Sequence, residues 1–147
     1  VGVHMGPAIV GNIGGDRFFD YTAIGDTVNI ASRLEGANKY LGTRLCVSAV
    51  VADAAPSHLH RPAGILFLKG KTRGLEVFEP LHQDSTKTQY VREYKAAYQL
   101  MAMSVPEAAE AFGALFEHHP DDELVARHAR RLSAGEKGAM LKLLEKS

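Results

Sequence analysis

The sequence predicts an α+β fold: a sheet covered by helices, then a wholly helical segment. Three observations predict it. Up to about His82, short alternating apolar runs surround one long helical stretch; from Tyr90 onward the periodicity is helical throughout; between them lies the small, polar HQDSTKTQ at 82–89. The expected division is therefore 1–82 and 83–147.

Val1, Val3 and Met5 alternate with Gly2, His4 and Gly6 in strand fashion, and Pro7 interrupts the run before AIVGNI resumes it. Gly14-Gly15-Asp16 supplies turn chemistry, and RFFDYTAI is the returning strand, so the first 24 residues read as a hairpin. Gly25 breaks that strand, and Asp26 or Thr27 can cap a new helix. Along it Ile30, Leu34, Ala37 and Leu41 recur at helical spacing, and Gly42 is placed to end it. Thr43 to Val47 read as a strand, with Ser48 capping a short helix through Val51 and Ala55. Ile65 to Leu68 and Leu75 to Leu81 form a second hairpin around the basic turn KGKTRG.

In the helical segment, Tyr90, Tyr94, Tyr98 and Met101 share one helix face. Ser104 to Glu107 resembles a capping box around Pro106, ahead of Ala109, Phe112, Leu115 and Phe116. Pro120-Asp121-Asp122 starts a third helix, with Leu124, Ala129 and Leu132 inside. The pattern from Pro106 to Leu132 resembles one tetratricopeptide-like hairpin. A repeat array needs about three such units, so a helical extension packed on the first domain is the expectation.

Composition narrows the function classes. With 147 residues, 46% of them apolar and 23% charged, the chain can bury a core. Seventeen basic residues balance seventeen acidic ones, leaving no net field to hold nucleic acid or an anionic membrane. The single Cys46 forms no intramolecular disulfide, lies in an apolar run and fits a reducing compartment. No apolar run approaches the roughly 18 residues of a membrane span, and no signal peptide is recognisable. The strand-like opening without Met suggests a piece of a longer protein.

The chemistry concentrates in DYTAIGDTVNIASRLE, residues 20–35. Asn29 and Arg33, four apart on one helix, lie on one stripe beside the apolar face. An amide and a guanidinium so placed can orient a ribose and clamp a phosphate, though a solvated pair has the same spacing.

That segment, preceded by GVHMGPAIVGNIGG and followed by LKGKTRGLEVFEPL, closely resembles the C-terminal half of a class III nucleotidyl cyclase catalytic domain over about residues 1–82. The resemblance implies a ferredoxin-like, palm-like antiparallel sheet sandwich, truncated at its N-terminal half. It implies an adenylyl cyclase in intracellular signalling, in which the ribose 3′-hydroxyl attacks the α-phosphate of ATP and pyrophosphate leaves. Asn29 matches the position that orients the ribose, and Arg33 the one that stabilises charge on the α-phosphate. Lys69 matches the position that binds the terminal phosphates; Lys71 and Arg73 sit nearby in the same turn. Thr22 matches the purine-reading position, where the commonest adenylyl pattern carries Asp, and Ile24 a position whose backbone touches adenine. A hydroxyl both donates and accepts, so Thr22 alone does not exclude guanine.

The family's two metal-binding aspartates are expected upstream of Val1, and Asp16, Asp20 and Asp26 do not match them. Mg²⁺ or Mn²⁺ is the implied cofactor, and the segment alone is expected to be inactive. The implied partners are ATP and a second cyclase domain in a head-to-tail homodimer, with no nucleic acid and no direct membrane contact. The implied location is cytoplasmic, free or as the cytosolic part of a membrane-anchored protein.

Three rival readings exist. GGDRF at 14–18 invites comparison with the GGDEF hairpin of diguanylate cyclases, but Arg17 stands where that family needs a metal carboxylate. A catalytically silent cyclase-like module for dimerisation or ligand binding is the alternative, opposed by the joint presence of Asn29, Arg33 and Lys69. The third makes the helical tail an interaction domain, with an exposed apolar groove along Tyr94, Tyr98 and Phe112. The seven histidines, lacking zinc-like spacing, read as surface residues.

Overall fold

The computed structural model describes residues 1–14, 19–67, 74–83 and 87–142, with backbone alone at 12–14 and 19–22. In chain order the elements are β1 (Gly2–Val3), β2 (Ile9–Gly14), β3 (Phe19–Ile24), α1 (Asp26–Leu41), β4 (Cys46–Ser48) and α2 (Ala49–Ala54). There follow β5 (His60–Phe67), β6 (Gly74–Pro80), α3 (Thr88–Ala102), α4 (Glu107–His118), α5 (Glu123–Ser133) and β7 (Met140–Lys142). The fold is α+β. Among the described residues one sheet has the order β1-β4-β6-β5-β7, and β2 pairs with β3 apart from it. Its centre, β4-β6-β5, is antiparallel; its margins, β1 on β4 and β7 on β5, are parallel.

The break at Pro7 does more than interrupt a strand. It sends β1 into the main sheet and β2 into the separate hairpin, so the first 24 residues divide between two sheets. The helix expected after Gly25 forms, with Leu34, Ala37 and Leu41 buried and Ile30 packed against them. Gly42 ends it in the left-handed conformation, φ 76°, and its N–H reaches the Asn38 carbonyl at 2.8 Å.

One apolar core runs through both predicted segments. Leu34 and Leu41 of α1 and Cys46, Ala63, Leu66 and Val77 of the sheet meet Tyr94, Met101, Phe112, Leu124, Val125 and Leu141. The groove imagined along Tyr94, Tyr98 and Phe112 is not open: Tyr94 and Phe112 are fully buried, and Tyr98 packs against the core.

Several local expectations differ in the structure. Ser48 precedes α2 without a side-chain cap, because its hydroxyl pairs with His4 Nδ1 at 2.7 Å. The Ser104–Glu107 capping box does not form; Pro106 occupies the N-cap, and α4 buries Ala108 while Phe116 is exposed. His128 is fully buried rather than at the surface, because Nε2–H finds the Ala63 carbonyl at 2.8 Å. β7, three residues long, carries no periodic signal and is placed by its pairing with β5. No helix among the described residues is long and apolar enough to cross a membrane.

Candidate functional site

The candidate site is built on the passage from β3 into α1. In the hairpin, Thr22 stands opposite Gly11 and Ile24 opposite Ile9. Ile24 ends β3 and is exposed. Gly25 then takes φ 135°, which L side chains rarely adopt, and turns the chain directly into α1. This tight passage places the Ile24 backbone next to the first turn of the helix. Asp26 lies in that turn, where its charge suits the helix dipole, although no side chain caps the helix. Thr27 Oγ1 donates to the Pro7 carbonyl at 2.6 Å, tying the head of α1 to the loop before β2.

Asn29 follows, exposed, with its backbone N–H on the Gly25 carbonyl at 3.2 Å. Arg33 lies one turn further on and is half-buried. The two side chains therefore occupy one stripe of a helix whose Leu34, Ala37 and Leu41 enter the core, Asn29 in its exposed first turn and Arg33 near its middle.

Two contacts locate that helix. A Cβ on Gly2 would lie 2.2 Å from the Glu35 nitrogen and 2.7 Å from the Ala31 carbonyl oxygen, so β1 presses backbone to backbone on the middle of α1. Asn38, nearly buried, donates to the Val1 carbonyl at 2.8 Å and accepts from Thr43 Oγ1 at 2.7 Å. Arg33 thus sits beside the point where α1 is pinned to the sheet edge.

Of the residues expected to act together, Thr22, Ile24, Asn29 and Arg33 share this one strand-turn-helix passage. Lys69, with Lys71, Arg73 and Asp16, lies outside the described residues. Among the described residues no cluster of His, Cys, Asp or Glu could hold a metal ion. The residues described here thus do not fit a two-metal centre, and no step is assigned to one. An open groove of about 580 Å³ is lined by Ser57, His58, His60, Gln83, Thr88 and Lys95. His60 there is held below the ordinary imidazole range by burial and by the charges of His58 and Lys95.

Sequence reasoning missed a buried polar network remote in sequence from these residues. Arg61 of β5 grips Asp122 with both terminal nitrogens, at 2.6 and 2.9 Å, and reaches Glu79 at 3.1 Å. Its guanidinium also lies 4.7 Å from the Tyr94 ring centre. Asp122 caps α5 by accepting from the Leu124 and Val125 amides, and accepts from the Tyr90 hydroxyl as well. Burial opposes ionisation of Asp122, but hydrogen bonds and charge from Arg61 hold its carboxyl below the ordinary range. Burial raises Glu79 despite the attraction of Arg61. Burial, with a smaller push from Glu79, drives the Cys46 thiol up to about 12, which leaves it protonated and inert. The legible signal was Asp122 as a helix start; nothing local announced that Arg61 would need it.

Residues 1–82 match the sequence model of the family described as the adenylate and guanylate cyclase catalytic domain. The chain is similar to Adenylate cyclase 1 of Rhizobium meliloti (strain 1021), 47% identical over 79 residues, covering 53% of this chain and 12% of that protein. It is 39% identical over 87 residues to an adenylate cyclase of Anabaena cylindrica, covering 54% of this chain and 16% of that protein. The chain therefore spans less than a fifth of the length of these two curated relatives. Among solved structures, the adenylyl cyclase CyaB from P. aeruginosa aligns with TM-score 0.46 and 29% identity over 53% of this chain and 39% of that one. A bacterial light-regulated adenylyl cyclase aligns with TM-score 0.43 and 27% identity over 59% and 44%.

Proposed function

The chain belongs to the adenylate and guanylate cyclase catalytic domain family, and from that premise we propose that it serves an adenylyl cyclase, converting ATP to cyclic AMP and pyrophosphate in intracellular signalling. The observation that carries the reading is the β3–α1 passage, which sets Thr22 and Ile24 on one side of Gly25 and Asn29 and Arg33 on the other, within the matched segment.

In this reading the ribose 3′-oxygen forms a bond to the α-phosphorus, the bond to the β-phosphate oxygen breaks, and the hydroxyl proton passes to solvent. Asn29 holds the ribose so that its 3′-oxygen faces the phosphorus. Arg33 neutralises the charge that builds on the α-phosphate oxygens, an effect largest in the transition state. The Ile24 backbone and Thr22 meet the adenine, and Lys69 holds the terminal phosphates.

The family generally uses Mg²⁺ or Mn²⁺, and the carboxylates for it are assigned to residues other than those described. The partner is a second cyclase domain, arranged head to tail, which lends the carboxylates to this chain's Asn29 and Arg33. Exposed Val3, Met5, Ile9, Val10, Ile24 and Val28, gathered in β1, the loop after it, the hairpin and the head of α1, support a covered surface there. A cytoplasmic site of action follows from the substrate.

The test is an assay of the full-length protein with ATP and with GTP in the presence of Mn²⁺ or Mg²⁺. Cyclic AMP in excess is expected. Excess cyclic GMP would reassign Thr22 to guanine, and a folded protein forming neither product would overturn the reading in favour of a silent dimerisation module.

A further inference from the structure

The helix that carries Asn29 and Arg33 is held at a third point, by the segment beyond the matched family region. At its tail, α1 meets α5. Gly42, the left-handed residue that ends α1, lies so close to Glu123 that a Cβ there would be 2.6 Å from the Glu123 Cβ and 3.0 Å from Oε2. One turn into α5, the Arg127 guanidinium carbon lies 4.8 Å from the centre of the Tyr40 ring, and both residues are half-buried.

α5 is itself fixed to the sheet independently of α1. Asp122 caps α5 and is gripped by Arg61 of β5, and at the other end Arg131 donates to the Gly138 carbonyl at 3.1 Å, beside β7. The helix therefore offers α1 a stationary reference.

The geometry behaves as a lever. An α-helix rises about 1.5 Å per residue, so Gly42 stands about 13 Å along the axis from Arg33 and about 20 Å from Asn29. The close approach of Gly2 to Ala31 and Glu35 falls between the two ends and acts as the pivot. A stiff helix pivoted there moves Asn29, one turn beyond the pivot, when its tail shifts, whereas Arg33 at the pivot is little displaced; a displacement of about 1 Å at a reacting group can cost about a hundredfold in rate.

We infer that α5 positions the catalytic helix: Arg127 and Glu123, pressing on Tyr40 and Gly42, set the tilt of α1 and so the placement of Asn29, on the far side of the pivot. They are positioning residues, remote from the substrate. The inference rests on the function proposed above. It makes the helical segment part of the working enzyme, and the α1–α5 contact a point at which anything acting on that segment would reach the turnover rate.

The experiment uses the full-length protein with Tyr40→Ala, Arg127→Ala, the double variant and Tyr40→Phe. Each alanine variant is expected to lower kcat about tenfold with KM within about twofold. The double variant should be no slower than the worse single one, as for two halves of one contact. Tyr40→Phe, which keeps the ring face, should restore kcat. In parallel, hydrogen exchange across residues 26–35 should quicken in both alanine variants and not in Tyr40→Phe.

Unchanged kcat in an active protein overturns the inference, as do single effects that multiply in the double variant. A wild-type protein that forms no cyclic nucleotide overturns the proposed function instead. The exchange measurement then decides the positioning contact alone: unchanged protection in residues 26–35 refutes it, and quickened exchange upholds it.

Discussion

The hairpin with the head of α1, and the segment from α3 to β7, treat their apolar residues in opposite ways. Among its described side chains the first exposes several: Ile9 is 65% and Val10 58% accessible, and Ile24 and Val28 are also exposed. The second buries most of them: Tyr94, Met101, Phe112, Leu124 and Val125 are all at 0%, against exposed Met103, Phe116 and Met140. The candidate chemistry lies in the first region and much of the shared core in the second. In the proposed function, stability and activity are therefore set by different residues of one chain, and the two are joined through α1, whose second half enters the core while its first half carries Asn29 and Arg33.

The largest effect that would sharpen this contrast comes from Asp122→Ala. It removes the α5 cap and leaves buried Arg61 with Glu79 alone, at a cost of about 4 to 5 kcal/mol in urea unfolding. Asp122→Asn keeps a cap acceptor and should lose visibly less. A loss under about 1 kcal/mol for the alanine variant would show that the Arg61–Asp122 pair does not hold the segment to the sheet.

Phe112→Ala follows, at about 4 kcal/mol, because it opens a cavity between Tyr94 and His128. Its counterpart, Ile9→Ala on the open side, should fall within about 0.5 kcal/mol. Equal losses at the two positions would break the comparison.

Acid should act on the same buried region. Burial is the chief reason that His128 titrates at about 4 in the folded chain against 6.5 ordinarily, with the Arg131, Arg61 and Arg127 charges lowering it further. The Ala63 carbonyl, which accepts its proton, works the other way. The unfolded chain therefore binds the proton first. Stability is complete above about 6.5 and declines as the pH falls towards 4, by up to about 3 kcal/mol. Asp122, also lowered, adds a loss at still lower pH, while Glu79, raised by burial, offsets part of the decline. Denaturant midpoints measured across this range should fall with acid, and His128→Gln should flatten the slope. A flat profile in the unsubstituted protein would show that His128 is not held neutral.

These effects also mark what the residues could and could not announce. The periodicity of Ile30, Leu34, Ala37 and Leu41 and the glycines at 25 and 42 place α1 because its signals are local. β7 was illegible because three residues carry no period, and only the β5 edge makes them a strand. Arg61 and Asp122 are 61 residues apart, so neither reveals that the other will neutralise it. His128 read as a surface residue because the Ala63 carbonyl that accepts from it, 65 residues away, comes within reach only when α5 lies on β5. In the candidate site, Asn29 and Arg33 were legible from the motif and helical spacing. Their support, through Gly2, Asn38 and α5, depends on contacts that spacing does not encode.

The central claim is that the open region holds the chemistry, and Arg33→Ala in the full-length protein tests it most directly. Loss of a group that stabilises charge mainly in the transition state should lower kcat by about 10² to 10³, with KM for ATP within about twofold. An undiminished kcat would contradict the account.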